Sequence, residues 1–371
     1  MNQRTDGITM AKNNTFTIEE DLLEAAGAML SVEKSPISLL KGKGGQVPGD
    51  AAARIRAAGI LDGAGQIRQE YRHAFSTLAQ ARGFARLKFS AGEKIFEFLV
   101  YFPTDSSEAV SVLHNGNRLV VEDPPGIDQA FRLMDQHIGH SFLSSTTFNG
   151  EFSQKEVLAL FALMDLERKT LLHGLADGTE PQNAVFSLDA IMDQVKNPKK
   201  NFQSLEFILQ SRIIQNGSPT PVQIESGLKS LGEKGMVRQQ SGGFSLSASL
   251  YEMTSRFLIM DSFVVLESLR LDKDNTMWGG SFLSLQAGVN DILYLEGHAE
   301  EVIVKCITAG ELLDLMNNIL SDPTFIGIPA ADPQQASPPA PASTLGRHCT
   351  TCGADVAEGK KFCSKCGAKV T

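Results

Sequence analysis

Four cysteines near the end of the chain have the type and spacing that bind a metal ion. They stand in two Cys-x-x-Cys pairs, each followed by Gly-Ala: Cys349, Cys352, Cys363 and Cys366. Structural zinc favours four ligands in a tetrahedron, and thiolates at ~2.3 Å suit that geometry. The glycine after each pair has the backbone freedom that completes a tight turn. The cysteines therefore predict one structural Zn²⁺, with no open coordination position for catalysis.

The segment between the two pairs is too short and too polar to fold by itself. It holds ten residues, 353–362, and Val356 and Phe362 are its only bulky apolar side chains. Its length suits a short hairpin with Gly359 near the tip. Metal binding is therefore expected to supply the folding free energy, on the order of 10–16 kcal/mol for sites of this size.

Residues 347–370 resemble the short zinc-ribbon modules that end many bacterial and archaeal proteins, because the four cysteines and both glycines match. Those modules usually have proline after the first cysteine of a pair, whereas this chain has Thr350 and Ser364, which affects turn rigidity rather than ligation. A disulfide pair and a redox-active Cys-x-x-Cys are the alternatives. Cys306 leaves one cysteine over, and the polar N-terminus does not predict a secretory signal, so an oxidising setting is not favoured.

The resemblance implies a binding role, since such modules bind nucleic acid in some proteins and other proteins in many. Five basic and two acidic residues surround the cysteines: Arg347, Lys360, Lys361, Lys365, Lys369, Asp355 and Glu358. A four-thiolate zinc centre adds about two negative charges. The surface is then nearly balanced, which is weak attraction for a phosphate backbone. The prediction is a protein partner, with nucleic acid as the less favoured alternative.

The whole chain has the composition of a folded protein with two or three domains. It has 371 residues, of which 42% are hydrophobic and 21% charged, with a net charge of −9. That charge argues against non-specific nucleic-acid binding by the whole protein. No apolar stretch approaches the ~20 residues of a membrane span, and we expect a cytoplasmic protein.

We expect an α+β fold with a duplicated body, a proline-rich linker and a C-terminal zinc ribbon. The linker is recognised by five prolines in sixteen residues: Pro329, Pro333, Pro338, Pro339 and Pro341. Such a segment stays extended and forms no core. The predicted boundaries are a disordered leader 1–15, a first half 16–145, a connecting helix 146–185 that packs the halves together, a second half 186–326, a linker 327–346 and a ribbon 347–371.

The duplication is predicted from two similar series of elements. In each, a short helix ends at glycine (Gly59 and Gly235), an apolar pair and a glycine turn follow, and then come a helix, about four strands and a final helix. Thr308 and Glu311 form a capping box for the last helix, and Ser153 and Glu156 form another for the connecting helix. We therefore expect a near-twofold rotation that takes residues 50–135 onto 220–317.

Residues 202–247 have the order helix, turn, helix and hairpin, which is the outline of a winged helix. In a DNA-binding role the helix from Pro221 to Lys234 would enter the major groove, and Lys229, Lys234 and Arg238 would contact phosphates. Two glutamates share that helix, and winged helices also bind proteins. A DNA-binding regulator is therefore the second hypothesis for the function.

Four further patterns have a structural interpretation that is simpler than a functional one. The loop 41–45 lacks the spacing of a phosphate loop. His137 and His140 lack a third metal ligand, the polar cluster of Asp272, Asp274 and Asn275 is typical of a turn, and Cys306 is typical of a strand core. No catalytic spacing stands out, so the first hypothesis is a non-enzymatic, zinc-binding adaptor or assembly protein. An enzyme with a site between the halves is a third hypothesis.

Overall fold

The computed structural model describes residues 14–41, 49–91, 94–103, 109–139, 141–179, 182–214, 219–288, 290–297, 301–322, 347–348 and 355–356. The chain divides into two compact units, Met1–Gly327 and Ile328–Thr371. The first unit is the body. The boundary falls at the start of the segment that the prolines predict to be a linker.

The body is built on one antiparallel sheet of ten described strands, so the α+β class is confirmed. The strands of the whole chain are β1 Asn14–Glu19, β2 Gly83–Ala91, β3 Lys94–Phe102, β4 Val110–Asn115, β5 Arg118–Asp123, β6 Asn149–Ser153, β7 Val237–Gln240, β8 Gly243–Leu246, β9 Ser262–Leu271, β10 Met277–Ala287, β11 Asp291–Gly297, β12 Glu301–Ile307, β13 Arg347–His348 and β14 Asp355–Val356. Strands β7 and β8 form a separate hairpin, and so do β13 and β14.

Ten helices are described, and several of them begin at a capping serine or threonine. They are α1 Leu23–Ala28, α2 Ala51–Ala57, α3 Gln69–Gln80, α4 Ile127–Ile138, α5 Gln154–Asp177, α6 Leu188–Lys196, α7 Leu205–Arg212, α8 Pro221–Glu233, α9 Ala248–Arg256 and α10 Ala309–Ser321. The predicted capping boxes of α5 and α10 are confirmed. Helix α8 has a third box, in which Thr220 and Gln223 satisfy each other's backbone N–H groups.

The ten strands follow the same order in two runs that meet at the middle of the sheet. The order is β1-β5-β4-β3-β2 and then β9-β10-β11-β12-β6. At the junction β2 and β9 are antiparallel, with Leu87 opposite Leu266. In each run the strand that comes first in the chain lies at the outer edge. Each run has five strands, one more than predicted.

The extra strands are β1 and β6, which the sequence analysis did not predict. Strand β1 begins at Asn14, the first residue that the structure describes. Strand β6 is the short polar run Asn-Gly-Glu-Phe-Ser, in which Phe152 is the one buried residue. Strand β1 does alternate, with exposed Thr15 and Thr17 beside buried Phe16 and Ile18, and this strand signal was missed. Strand β6 has a single buried residue and shows no such alternation.

Helices cover both faces of the sheet. Helices α4 and α10 share one apolar core with β2, β3, β9 and β11 on the first face. On the opposite face α1–α3 cover the first run, and α5–α9 cover the second. None of the described helices is long and apolar enough to cross a bilayer.

Helix α5 does not have the predicted position between the halves. It follows β6 directly and packs on α6, α7, α8 and α9, which belong to the second half. Every residue from Val157 to Met164 is at most 4% exposed. A helix that is apolar around its whole circumference is a buried helix, so α5 is the central helix of the layer that covers the second run.

Candidate functional site

The four predicted zinc ligands lie outside the described residues, but the chain on both sides of the first pair is described. Arg347 pairs with Val356 and His348 pairs with Asp355, which makes an antiparallel hairpin. Strand β13 ends directly before Cys349, and β14 begins three residues after Cys352. The first Cys-x-x-Cys therefore lies in the connection of this hairpin.

The helix–turn–helix–hairpin segment predicted at residues 202–247 consists of α7, α8 and the β7–β8 hairpin. Helix α8 buries Ile224, Leu228 and Leu231. Gly227 lies against α5 so closely that an added Cβ would stand 2.5 Å from the carbonyl oxygen of Lys155. One face of α8 is thereby fixed to the start of α5.

Lys234, which was predicted to contact phosphate, makes contacts within the protein instead. Its Nζ lies 2.8 Å from Glu156 Oε1 and donates to the carbonyl oxygen of Glu151 at 3.1 Å. It also lies 5.1 Å from the centre of the Phe152 ring. These contacts join the end of α8 to β6 and to the start of α5.

Glu156 receives more than the capping bonds that its position predicts. Besides Lys234, the Ser230 hydroxyl donates to Oε1 at 2.6 Å, and the Ser153 N–H donates to Oε2 at 2.7 Å. Burial alone would raise the pKa of this carboxyl, but the bonds from Lys234, Ser230 and Ser153 outweigh burial and lower the pKa to about 2. Glu156 is therefore a charged anchor for α8.

The other two residues that were predicted to contact phosphate, Lys229 and Arg238, provide weak phosphate attraction. Lys229 Nζ lies 3.1 Å from Glu225 Oε1 on the same helix, and Glu233 is exposed beside it. Arg238 on β7 is exposed and makes no ion pair within the part of the chain that is described. Of the three predicted phosphate contacts, Arg238 alone keeps a charge that no described carboxylate neutralises.

A buried polar network inside the second half was not predicted. Arg168 and Asp165 on α5 form an ion pair at 2.9 Å, with side chains 4% and 3% exposed. Asp165 also accepts the backbone N–H groups of Leu205 and Glu206 at 3.0 and 3.1 Å, which caps α7. Arg168 donates to the carbonyl oxygen of Leu258 at 3.1 Å. The network connects α5, α7 and the loop after α9, and we read it as structural.

Burial raises the pKa of two carboxyl groups near this network. Burial raises the pKa of Glu167 to about 7, against an opposing hydrogen bond from the Ala184 N–H. Burial also raises the pKa of Glu206 well above its ordinary value, and the charge of Asp165 adds to that effect. Both residues are 0% exposed. A sequence signal exists: Asp165, Glu167 and Arg168 interrupt an otherwise apolar helix.

The third hypothesis placed an enzyme site between the halves. At the junction of the two runs, charged side chains are paired with one another. Arg86 Nη1 lies 3.0 Å from Glu267 Oε2, and Arg86 Nε lies 2.5 Å from Glu97 Oε1. His114 Nδ1 lies 3.9 Å from the other oxygen of Glu97. Among the described residues no group of three or more His, Cys, Asp or Glu could hold a metal ion.

The remaining sequence candidates have local structural roles. His137 Nε2 is 2.9 Å from the carbonyl oxygen of Ser90, and its predicted companion His140 lies outside the described residues. Asn275 has a φ of 65° in a turn and accepts a hydrogen bond from Arg82 at 2.8 Å. Cys306 is half-buried opposite Leu293 on β11. Of the loop 41–45, Lys41 alone is described, at the end of a short 3₁₀ helix.

Comparison with known proteins identifies one part of the chain. The family model for the zinc-ribbon domain matches residues 348–370. No curated protein sequence matches the chain. A solved structure of the Mycobacterium tuberculosis type VII secretion system chaperone EspG5 in complex with a PE25–PPE41 dimer matches with 12% identity and a TM-score of 0.46, over 83% of this chain and 95% of that chain. At that TM-score the likeness does not establish a common fold. Residues 348–370 are a zinc-ribbon domain, which implies zinc binding at the C-terminus.

Proposed function

We propose that the protein is a non-enzymatic adaptor whose C-terminal zinc ribbon binds a partner protein. The observation that carries the proposal is the match of residues 348–370 to the zinc-ribbon domain, in a unit separate from the body. The chain between body and ribbon is rich in proline, which suits a spacer. A module on a spacer can reach a partner while the body holds another.

The proposed metal site is one structural Zn²⁺ held by Cys349, Cys352, Cys363 and Cys366. The β13–β14 hairpin supports this assignment because it encloses the first pair of thiols along the chain. Four thiolates complete a tetrahedron, so the zinc would stabilise the fold of the ribbon and would not take part in catalysis.

A protein partner is favoured over DNA on the charges of the described residues. Lys234 is paired with Glu156 and Lys229 with Glu225, which leaves Arg238 and Arg212 of α7 as exposed cations without an ion pair among the described residues. Duplex binding needs several released counterions, so two free cations give little affinity. We propose that the segment 202–247 is a winged-helix-like structural module, with DNA binding as the alternative.

The body is proposed to be a duplication, with a near-twofold rotation taking residues 50–135 onto 220–317. The support is the strand order, which is the same in both runs and places the first strand of each run outermost. Helices α4 and α10 also follow the last of the four consecutive strands in each run. The position of α5 shifts the proposed start of the second half to β6.

The test compares capture of proteins from native lysate by three baits: the full chain, the chain ending at Ile328, and full-length Cys352→Ser. A partner bound by the full chain and lost by both altered baits would support the adaptor proposal. Nuclease treatment distinguishes the alternative, since material that depends on nucleic acid and binds all three baits would assign the function to the body as a DNA-binding regulator. Equal protein capture by all three would contradict a role for the ribbon.

A further inference from the structure

The outer edge of β1 is an unpaired strand edge beside a groove. We propose that this edge is a docking site at which an extended segment of a partner protein, carrying an acidic side chain, adds to the sheet as a further strand. The inference rests on the body alone and does not depend on the role of the zinc ribbon.

The hydrogen-bond register shows which residues of β1 face outward. The Glu20 N–H donates to the carbonyl oxygen of Asn117 at 3.0 Å, and these residues continue the ladder in which Asn14 is opposite Asp123. Bonded and non-bonded pairs alternate in an antiparallel ladder. The even-numbered residues therefore bond to β5, and Thr15 and Thr17 turn their backbone N–H and C=O groups away from it.

Those outward groups have no protein partner in the part of the chain that the structure describes. No backbone or side-chain hydrogen bond reaches the main chain of Thr15 or Thr17. Natural sheets protect such edges with proline, lysine or a bulge. Strand β1 has the sequence Asn-Thr-Phe-Thr-Ile-Glu, which contains neither proline nor lysine, and its register with β5 is continuous, without a bulge.

The space beside this edge is large enough for a peptide. A groove of about 580 Å³ runs between β1 on one side and the end of α2 with Tyr71 of α3 on the other. Phe16 forms its apolar floor at 5% exposure, and its ring lies 4.8 Å from the Tyr71 ring. Strand addition uses backbone hydrogen bonds for affinity and such side-chain contacts for selection.

The charge of the groove indicates the chemistry of the partner. Arg118 lines it at the start of β5, opposite Glu19 in the ladder. Glu19 is already paired with Arg54, which also bonds Asp21 at 3.0 Å. Arg118 is exposed and has no ion-pair partner among the described residues. An acidic side chain of the added strand would supply the missing counter-charge.

The opposite edge of the sheet provides an internal reference, because β6 is blocked. The Cys306 N–H donates to the carbonyl oxygen of Phe148 at 2.8 Å, so the same register argument turns Glu151 and Ser153 outward. The Glu151 carbonyl accepts from Lys234 at 3.1 Å, and the Ser153 N–H donates to Glu156 at 2.7 Å. Side chains of the protein take the positions that a peptide would need.

The experiment measures peptide binding to the full chain by fluorescence anisotropy. The probes are two capped, labelled ten-residue peptides of alternating Thr and Val, one with Glu at its centre and the other with Lys. The test variant is Thr17→Pro, which removes an outward N–H that β5 does not use and is tolerated on an edge strand. The matched control is Asn149→Pro, which removes an outward N–H from β6.

The wild type is expected to bind the Glu peptide about tenfold more tightly than the Lys peptide, and Thr17→Pro to weaken Glu-peptide binding about tenfold or more. Asn149→Pro should bind like the wild type. Arg118→Glu, at an exposed position that should not disturb folding, should reverse the preference between the peptides and serves as the test variant if Thr17→Pro does not fold.

Several outcomes would overturn the proposal. One is equal binding of the Glu peptide by the wild type and folded Thr17→Pro, and another is no binding of either peptide at millimolar concentration. A dimer in sedimentation velocity that Thr17→Pro dissociates would assign the edge to a second copy. Slow hydrogen exchange at the amides of Thr15 and Thr17 in the free monomer would show that the chain itself covers the edge.

Discussion

Lys234 and Glu156 form an ion pair at 2.8 Å that joins the end of α8 to the start of α5. The side chain of Glu156 is 5% exposed and that of Lys234 is 39% exposed. The carboxylate is therefore out of water, and the lysine closes the site from the solvent side. A residue that looks in the sequence like a phosphate contact is part of the internal support of the second half.

Removing the lysine should leave that carboxylate without its counter-charge. For Lys234→Met we expect a loss of about 1–3 kcal/mol in the free energy of unfolding, because a buried charged acceptor loses its strongest donor. Urea unfolding of the full chain at pH 7 measures it. Lys229→Met is the control, since its pair with Glu225 is exposed and should contribute under about 1 kcal/mol. Equal losses in both variants would refute the internal role of Lys234.

The same pair predicts how stability depends on acid. The folded-state pKa of Glu156 is about 2, below its ordinary value of 4.5, so its stabilisation is fully present above pH 4.5 and is lost as the pH falls towards 2. Lys234→Met should lose less stability than the wild type over that interval, because without the lysine the folded-state pKa of Glu156 moves upward towards 4.5. Urea unfolding at pH 5 and pH 3 tests this, and a parallel decline in both proteins would contradict it.

Glu167 predicts the opposite dependence on pH. Burial raises its pKa to about 7 from 4.5, so its protonated form suits the folded state and stability falls as the pH rises from 4.5 to 7. Glu167→Gln keeps an acceptor for the Ala184 N–H and should be more stable than the wild type at pH 8 by about 1–2 kcal/mol.

Unfolding of Glu167→Gln at pH 5 and pH 8 provides the measurement. The gain should be confined to the higher pH. Glu252→Gln is the control, because the Glu252 side chain is 70% exposed and should give similar stability to the wild type at both values. A Glu167→Gln variant that is no more stable at pH 8 than at pH 5, relative to the wild type, would refute the raised pKa.

Gly227 and Gly232, both in α8, differ in the space that an added side chain would have. A Cβ at Gly227 would stand 2.5 Å from the Lys155 carbonyl oxygen, whereas a Cβ at Gly232 meets its nearest atom at 3.7 Å. Gly227→Ala should destabilise the protein by about 1–3 kcal/mol because α8 must move away from α5. Gly232→Ala should gain up to about 1 kcal/mol from helix propensity. Thermal unfolding compares them, and a neutral Gly227→Ala would show that the α5–α8 contact is loose.

The proposed zinc site predicts that metal content and body stability are separable. Wild-type protein should contain one zinc per chain by atomic emission, and Cys352→Ser should contain none, since three thiolates hold the ion much more weakly. The melting temperature of the body should stay the same, because the ribbon is a separate unit. Cys306→Ala should keep its zinc. Loss of body stability in Cys352→Ser would contradict the separation.

Local patterns in the sequence predicted most of the elements but few of their contacts. Residues 95–102 form an almost continuous apolar run, which is typical of a buried strand, and they lie in β3, Lys94–Phe102; such a run is a local property of the sequence. Strand β10 extends over Met277–Ala287, but Trp-Gly-Gly-Ser near its start shows no alternation, so the sequence does not reveal where this strand begins. Edge strand β1 carries a strand signal in Thr-Phe-Thr-Ile that was missed, whereas edge strand β6, with one buried residue, gives none.

The same holds for the site residues: those set by local spacing could be predicted, and those brought together by the fold could not. The four cysteines could be found because a zinc knuckle sets its ligands three residues apart in the chain. The pair of Arg86 and Glu267 joins residues 181 positions apart, and only the register of β2 against β9 brings them together. The charges in α5 were visible as interruptions of an apolar helix, but their partners came from α7 and from the loop after α9.

The unequal edges of the sheet also limit how copies of this protein can assemble. Growth of a fibre by sheet extension requires the open edge of one molecule to pair with the far edge of the next, so that each addition regenerates an acceptor. Lys234 and Glu156 occupy that far edge, so joining β1 of one copy to β6 of another is blocked at the first step. Strand addition at β1 therefore stops after one strand has bound, and an unpaired β1 edge does not lead to a polymer.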